Sequence, residues 1–227
     1  MKVSRKRVNK AILEIAIITV SILLAFALER WWDRQVDTRS KDELVSSLIQ
    51  EFEVTNAEFQ SALTSHSNRY RGASKLGELD EKTIGNVNPD DISQYWYWVV
   101  TPDETYPPTG ALLSAINDNR LSLLRNAELR SRLASWNDRL ENFRQTERIL
   151  AEYTLQTFWP NVAVDVVIPL NKEAIGRETD KVILMPATKN HLNLLALGSR
   201  VAIGQIEALQ AEASEILRLL QEESVLN

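Results

Sequence analysis

The sequence predicts an all-α protein, with one N-terminal transmembrane helix followed by an antiparallel bundle of long helices. Three observations predict it. Residues 11–28 form one apolar run long enough to cross a bilayer. Three later stretches repeat apolar residues at alternating spacings of three and four, the pattern of a helix with one buried face. Gly and Pro number only seven each in 227 residues, too few for a turn-rich β fold.

The first element is a basic tail, residues 1–10, carrying Lys2, Arg5, Lys6, Arg7 and Lys10. The run AILEIAIITVSILLAFAL follows, and Glu14 is the only ionisable residue in its eighteen. As a helix it is about 27 Å long, close to the roughly 30 Å hydrocarbon core of a membrane. Trp31 and Trp32 come directly after it, where an aromatic belt meets water. Basic residues crowd the N-terminal flank, whereas Arg30, Arg34 and Arg39 are interleaved with Glu29, Asp33 and Asp37 on the other. The positive-inside rule then puts the tail in the cytoplasm and the body outside. A cleaved signal peptide is the rival reading, with Ala25-Phe26-Ala27 as its cleavage site. Glu14, the length of the run and the Trp pair favour an uncleaved anchor spanning residues 11–32.

Glu14, Ser21 and Ala25 share one side of this helix. Ser21 and Ala25 form a small-xxx-small pair that permits close approach of another helix, and an intramembrane carboxylate usually faces protein. The three are therefore candidate helix–helix interface residues. The plainer account is that Glu14 reaches the cytoplasmic headgroups or pairs with Lys10.

Residues 33–227 form the outer domain. After a polar stretch at 33–43, Val45, Leu48, Phe52, Thr55, Phe59, Ala62 and His66 mark the seam of a coiled or bundled helix that fades near Gly72 and Gly77. Following the polar loop, Asn88, Pro89, Asp90 and Asp91 make a helix start. The helix they open, 89–100, places Ile92, Tyr95, Trp96 and Val99 on one face. YWYWVV alone also reads as a strand. TPDETYPP is an extended linker, and Thr109 is the expected cap of a helix over 110–117. Asn126 opens a long helix with Leu129, Leu133, Trp136, Leu140, Phe143 and Leu150 on its seam, ended or kinked at Pro160. Residues 161–186 read as irregular, and VAVDVVIPL within them is too short to recross a membrane as a helix. The last helix holds Leu192, Leu195, Ser199, Ala202, Ile206, Leu209, Ala213, Ile216 and Leu220 in one unbroken seam.

Composition narrows the function. The tail holds five positive charges and Glu14 one negative, so a net charge of −5 leaves −9 on residues 29–227. An acidic body is unsuited to nucleic acid, which needs a basic surface to replace counterions. The chain has no Cys, which excludes thiol catalysis, zinc–thiolate sites and disulfides. His66 and His191 are the only histidines and show no metal-ligand spacing; His66 reads as a satisfied core or boundary histidine. No G-x-S-x-G, G-x-G-x-x-G or P-loop occurs. No catalytic, cofactor-binding or metal-binding residue is therefore assigned. Tyr95, Trp96, Tyr97 and Trp98 form the densest aromatic cluster. Four successive helical positions point all round, so this cluster is a candidate partner surface, unless the rings pack among themselves.

Two stretches, EIAIITVSILLAFALERWWDRQ and TGALLSAINDNRLSLLRNAELRSRLASW, resemble an uncharacterised family of bacterial single-span membrane proteins known mainly as a domain of unknown function. The resemblance implies a Glu-led anchor and a helical extracytoplasmic domain, and brings no catalytic residues with it. The expected function is a non-enzymatic accessory or scaffold subunit in the bacterial inner membrane. Its periplasmic bundle would cover the outer face of a larger membrane complex, a photosynthetic or respiratory one being one host. The expected partners are lipid and, through the anchor, another membrane protein or a second copy. The alternative is a ligand-sensing bundle that acts through a partner.

Overall fold

The computed structural model describes the backbone of residues 5–101, 104–163 and 179–225 and, within these, the side chains from Thr19 onward other than that of Asp33. All regular structure among the described residues is helical. Helix α1, Arg5–Glu78, runs 74 residues without a break, about 110 Å at 1.5 Å per residue. A 3₁₀ turn, Ile84–Asn86, leads to α2, Pro89–Val100, and then to α3, Gly110–Asn117. A second 3₁₀ turn, Arg120–Leu123, precedes α4, Ala127–Tyr153. Five residues of π-helix, Thr154–Phe158, connect α4 to α5, Trp159–Ala163. Helix α6, Asp180–Ile183, and α7, Pro186–Val225, complete the chain.

The seams behave as their spacing demands. All seven seam residues of α1 and all nine of α7 are buried, as are the six of α4. The polar stretch 33–43 does not precede the helix: it is part of α1. No Gly or Pro occurs before Gly72 to interrupt the helix, and Arg39 pairs with Glu43 one turn on at 3.2 Å. Gly72 does not weaken α1 either. A β-carbon there would lie 2.7 Å from the Tyr95 carbonyl oxygen, so glycine lets α2 lie directly on α1. The aromatic segment is helical, as Asn88 requires: its side chain accepts from the Asp90 N–H at 3.0 Å. Pro160 does not end its helix. The wider π turn just before it absorbs the missing N–H and the ring. Pro186 is not part of an irregular stretch but the first residue of α7. Beyond Ala163, VAVDVVIPL lies outside the described residues, together with Pro169 and Gly176.

Helix α7 is antiparallel to both other long helices. Lys189 reaches the Leu79 carbonyl at 2.6 Å, and Gln210 bonds Gln60 at 3.3 Å. Tyr153 bonds His191 at 2.6 Å, and Arg132 pairs with Glu212 at 2.7 Å. Helices α1 and α4 run the same way, since Phe52 and Phe59 meet Trp136 while His66 meets Glu147. The described residues between 101 and 126 make the descent between them. This segment touches α1 at Arg69, which donates to the Thr101 carbonyl, then at Glu51, then at Ser40, whose carbonyl accepts from Arg120 at 2.9 Å. The bundle is thus up–down–up–down, with an extended segment and α3 as its second column. Its main core lies around Phe52, Phe59, Trp136, Leu140 and Ile206. A smaller one, at the end away from residue 40, lies around Leu76, Trp96, Phe158 and Leu192.

Candidate functional site

Two features stand out from the packed bundle. The first is the N-terminal half of α1. From Thr19 to Arg39 every described side chain is exposed, and the helix enters the bundle only at Ser40 and Lys41. Val20, Ile22, Leu23, Leu24, Phe26 and Leu28 lie bare all round it, followed by Trp31 and Trp32, the latter 64% exposed. Water-soluble surfaces rarely carry a contiguous apolar patch of this extent. Leu23, Phe26, Ala27, Arg30, Trp31 and Arg34 share one face, apolar at one end and cationic at the other. Ser21 and Ala25 are exposed on the same half; the Glu14 side chain lies outside the described residues. Among the described residues no helix is long and apolar enough to cross a membrane. The apolar run starts at residue 11, ahead of the first described side chain.

The second feature is a set of three buried glutamates, one on each long helix, which hold the second column in place. Glu51 of α1 accepts the N–H groups of Ala111 and Leu112 at 2.6 and 3.0 Å. These are orphan donors in the first turn of α3, where a negative charge also suits the helix dipole. Thr109 occupies the N-cap position without making a side-chain cap bond; Glu51, sixty residues away in sequence, does that work. Glu223 of α7 accepts from the Arg125 and Asn126 N–H groups at 2.8 and 3.0 Å. Asn126 in turn caps α4 through the Glu128 and Leu129 N–H groups. Glu147 of α4 accepts from the Thr105 N–H at 2.9 Å, the Thr105 hydroxyl at 2.7 Å and His66 Nε2 at 3.1 Å. His66 is therefore a core histidine tied to a carboxylate.

Glu147 and Glu223 escaped the apolar pattern because they put a charge in its register, whereas Glu51 stands beside the α1 seam, next to Phe52. Glu147 fills the gap between Phe143 and Leu150 on the α4 seam, and Glu223 continues the α7 seam past Leu220. A charged residue in seam register was the available signal. Glu51→Ala is expected to destabilise the fold by about 2–3 kcal/mol, the worth of charge-assisted bonds to buried N–H groups. Urea unfolding should show a lower midpoint at unchanged slope; an unchanged midpoint would mean that α3 needs no such anchor.

The aromatic cluster is divided by the fold. Trp96 is buried against Phe158, with ring centroids 6.1 Å apart. Tyr95 packs on Trp98 at 5.9 Å, and the Arg71 guanidinium lies 4.2 Å over the Trp98 ring. Tyr97 alone of the four is fully turned to solvent. His191 joins the smaller core through Tyr153, whose hydroxyl burial pushes above the usual phenol range. No group of three His, Cys, Asp or Glu side chains among the described residues could hold a metal ion. Beside Glu147, a cavity of about 150 Å³ opens between the second column and α4. No protein-family model matches the chain, and neither a curated protein nor a solved structure does.

Proposed function

We propose that the protein is a non-enzymatic, membrane-anchored accessory or scaffold subunit of the bacterial inner membrane, and a member of the single-span family whose anchor it resembles. One observation carries this reading: residues 19–39 of α1 project from the bundle with every described side chain exposed, among them a contiguous apolar run. Residues 11–32 are the anchor in this reading, residues 1–10 lie in the cytoplasm, and the bundle stands in the periplasm. The tail's five basic residues support that direction. Glu14, Ser21 and Ala25 offer one side of the anchor to another membrane protein or to a second copy. Tyr97 adds an exposed aromatic on the bundle. A photosynthetic or respiratory complex is one host of suitable architecture. The second reading, a ligand-sensing bundle acting through a partner, is favoured by the cavity beside Glu147.

Purification in mild detergent at native expression tests the first reading. A stoichiometric membrane partner is expected, and Ala25→Leu should reduce its recovery through a loss on the order of 1–2 kcal/mol, while Leu24→Ala has little effect. A chain recovered alone would count against a scaffold role. Equal recovery with Ala25→Leu would remove this face of the anchor from the assembly.

A further inference from the structure

We propose that α7 pairs with α7 of a second copy, antiparallel, through the face it turns away from its own bundle. The inference rests on that face and not on the anchor, so it stands or falls separately from the scaffold reading. Besides its buried seam, α7 carries a second one: Leu194, Leu197, Val201, Gly204, Ala208 and Ala211, again at alternating spacings of three and four. All six are exposed, Leu197 by 60%. The outer side of a surface helix is ordinarily polar, and an apolar heptad seam there is the pattern of a helix with another laid along it. Gly204 adds to this. A β-carbon there would meet nothing within 4 Å, so no contact inside the bundle requires a glycine, and glycine within a helix weakens it. A bilayer is not the occupant. The bonds from Lys189 to Leu79 and from Gln210 to Gln60 put the middle of the face level with His66 of α1, about 50 Å beyond Trp32.

The face is complementary to itself in one register. Its first half is bulky and its second half small. With a two-fold axis between Ala202 and Ile203, Leu194 meets the partner's Ala211, Leu197 the partner's Ala208 and Val201 the partner's Gly204. The same register sets Arg200 beside the partner's Glu207, twice by symmetry. Both side chains are exposed on one flank of the face, and neither makes an ion pair or side-chain hydrogen bond among the described residues. Sliding one heptad either way puts Arg200 on Arg200 or Glu207 on Glu207. A parallel pair sets Glu207 against Glu212 and stacks each large residue on its own copy. Bulk and charge therefore choose the same arrangement. Helix α1 leaves the bundle at the end where Glu223 of α7 holds the second column, so the two anchors of such a pair point in opposite directions. On the anchored reading the pair joins copies held in facing membranes, about 100 Å apart at Trp32.

The chain has no cysteine, so introduced thiols report the pairing directly. The full chain is used in detergent at about 100 µM, because so short a seam pairs weakly. Oxidation of Leu194→Cys mixed with Ala211→Cys is expected to give a disulfide-linked pair of the two variants. Leu194→Cys alone should link at least about tenfold less, since its two copies lie about 25 Å apart along the axis, far beyond the reach of a disulfide. Arg200→Glu should weaken association in sedimentation about tenfold or more, and Arg200→Glu combined with Glu207→Arg should restore it. Both residues are exposed, so the fold survives either change. Linking of Leu194→Cys alone as readily as the mixture would mean parallel pairing and overturns the proposal. So does the absence of any link, or undiminished association in Arg200→Glu; copies then meet through the anchor or not at all.

Discussion

Deleting residues 1–32 is expected to move the protein from the carbonate-resistant membrane pellet to the aqueous supernatant. Six large apolar side chains between Val20 and Leu28 are exposed on α1, and burying each in hydrocarbon contributes about 1.5–3 kcal/mol. Their sum is on the order of 10 kcal/mol before residues 11–18 are counted, ample to hold the chain in a bilayer. The bundle should not notice the loss. Among the described side chains the first to be part-buried is Ser40, and the core begins at Leu44 and Val45. Circular dichroism of the truncated chain should therefore keep both its helical signal and its Tm, apart from the residues removed. Sedimentation of the truncated chain with membranes would place the attachment in the bundle instead. Release of the full chain by carbonate, with a mature N-terminus at Leu28, would identify residues 1–27 as a cleaved leader.

The second large effect belongs to Trp136. Its side chain is 1% exposed, with ring centroids 5.0 Å from Phe52 and 6.1 Å from Phe59. Phe59 continues the ring chain to Phe143 at 6.3 Å. Helices α1 and α7 bury small residues such as Ala62, Ser199, Ala202 and Ala213, whereas rings from α1 and α4 meet around Trp136. Trp136→Ala empties the middle of that cluster and is expected to cost about 3–5 kcal/mol. Urea unfolding of the bundle measures it. Tyr97→Ala, at an exposed aromatic of the same chain, should change stability by less than about 0.5 kcal/mol. Equal small losses in both variants would mean that α4 is not joined to α1 through its rings.

The three long helices were legible because burial and periodicity are the same fact in a bundle: a helix touching others along one side must repeat apolar residues at 3.6. The capping residues Asn88 and Asn126 were legible for a local reason, since a cap and its first-turn N–H groups are sequence neighbours. The second column was not. Thr101 is held by Arg69 and Thr105 by Glu147, and α3 by Glu51. Those partners are distant in sequence, and an extended segment fixed by side chains has no period to read. Residues 33–43 misled for the opposite reason. A helix exposed on nearly every side carries no seam, so the apolar pattern starts only at Leu44 and Val45, where the core begins. Of the candidate site, the bare apolar run and Trp31–Trp32 were visible from hydropathy alone. The glutamate clamps and the cavity beside Glu147 appear only once α4 is placed against residues 104–106.

The unbroken course of α1 has a mechanical consequence. Between Trp32 and Glu78 there is no Gly-initiated hinge and no proline, and the only glycines, Gly72 and Gly77, sit against α2 and α7. The helix is thus a lever about 69 Å long beyond Trp32. A tilt of about ten degrees at the Trp31–Trp32 end swings Glu78 sideways by some 12 Å, and a quarter-turn about the axis reorients every side chain along it. The bundle cannot lag behind, because its first column is that same helix. Any force that repositions the N-terminal half is therefore displayed, enlarged, at the far end, where α2 and Tyr97 are carried.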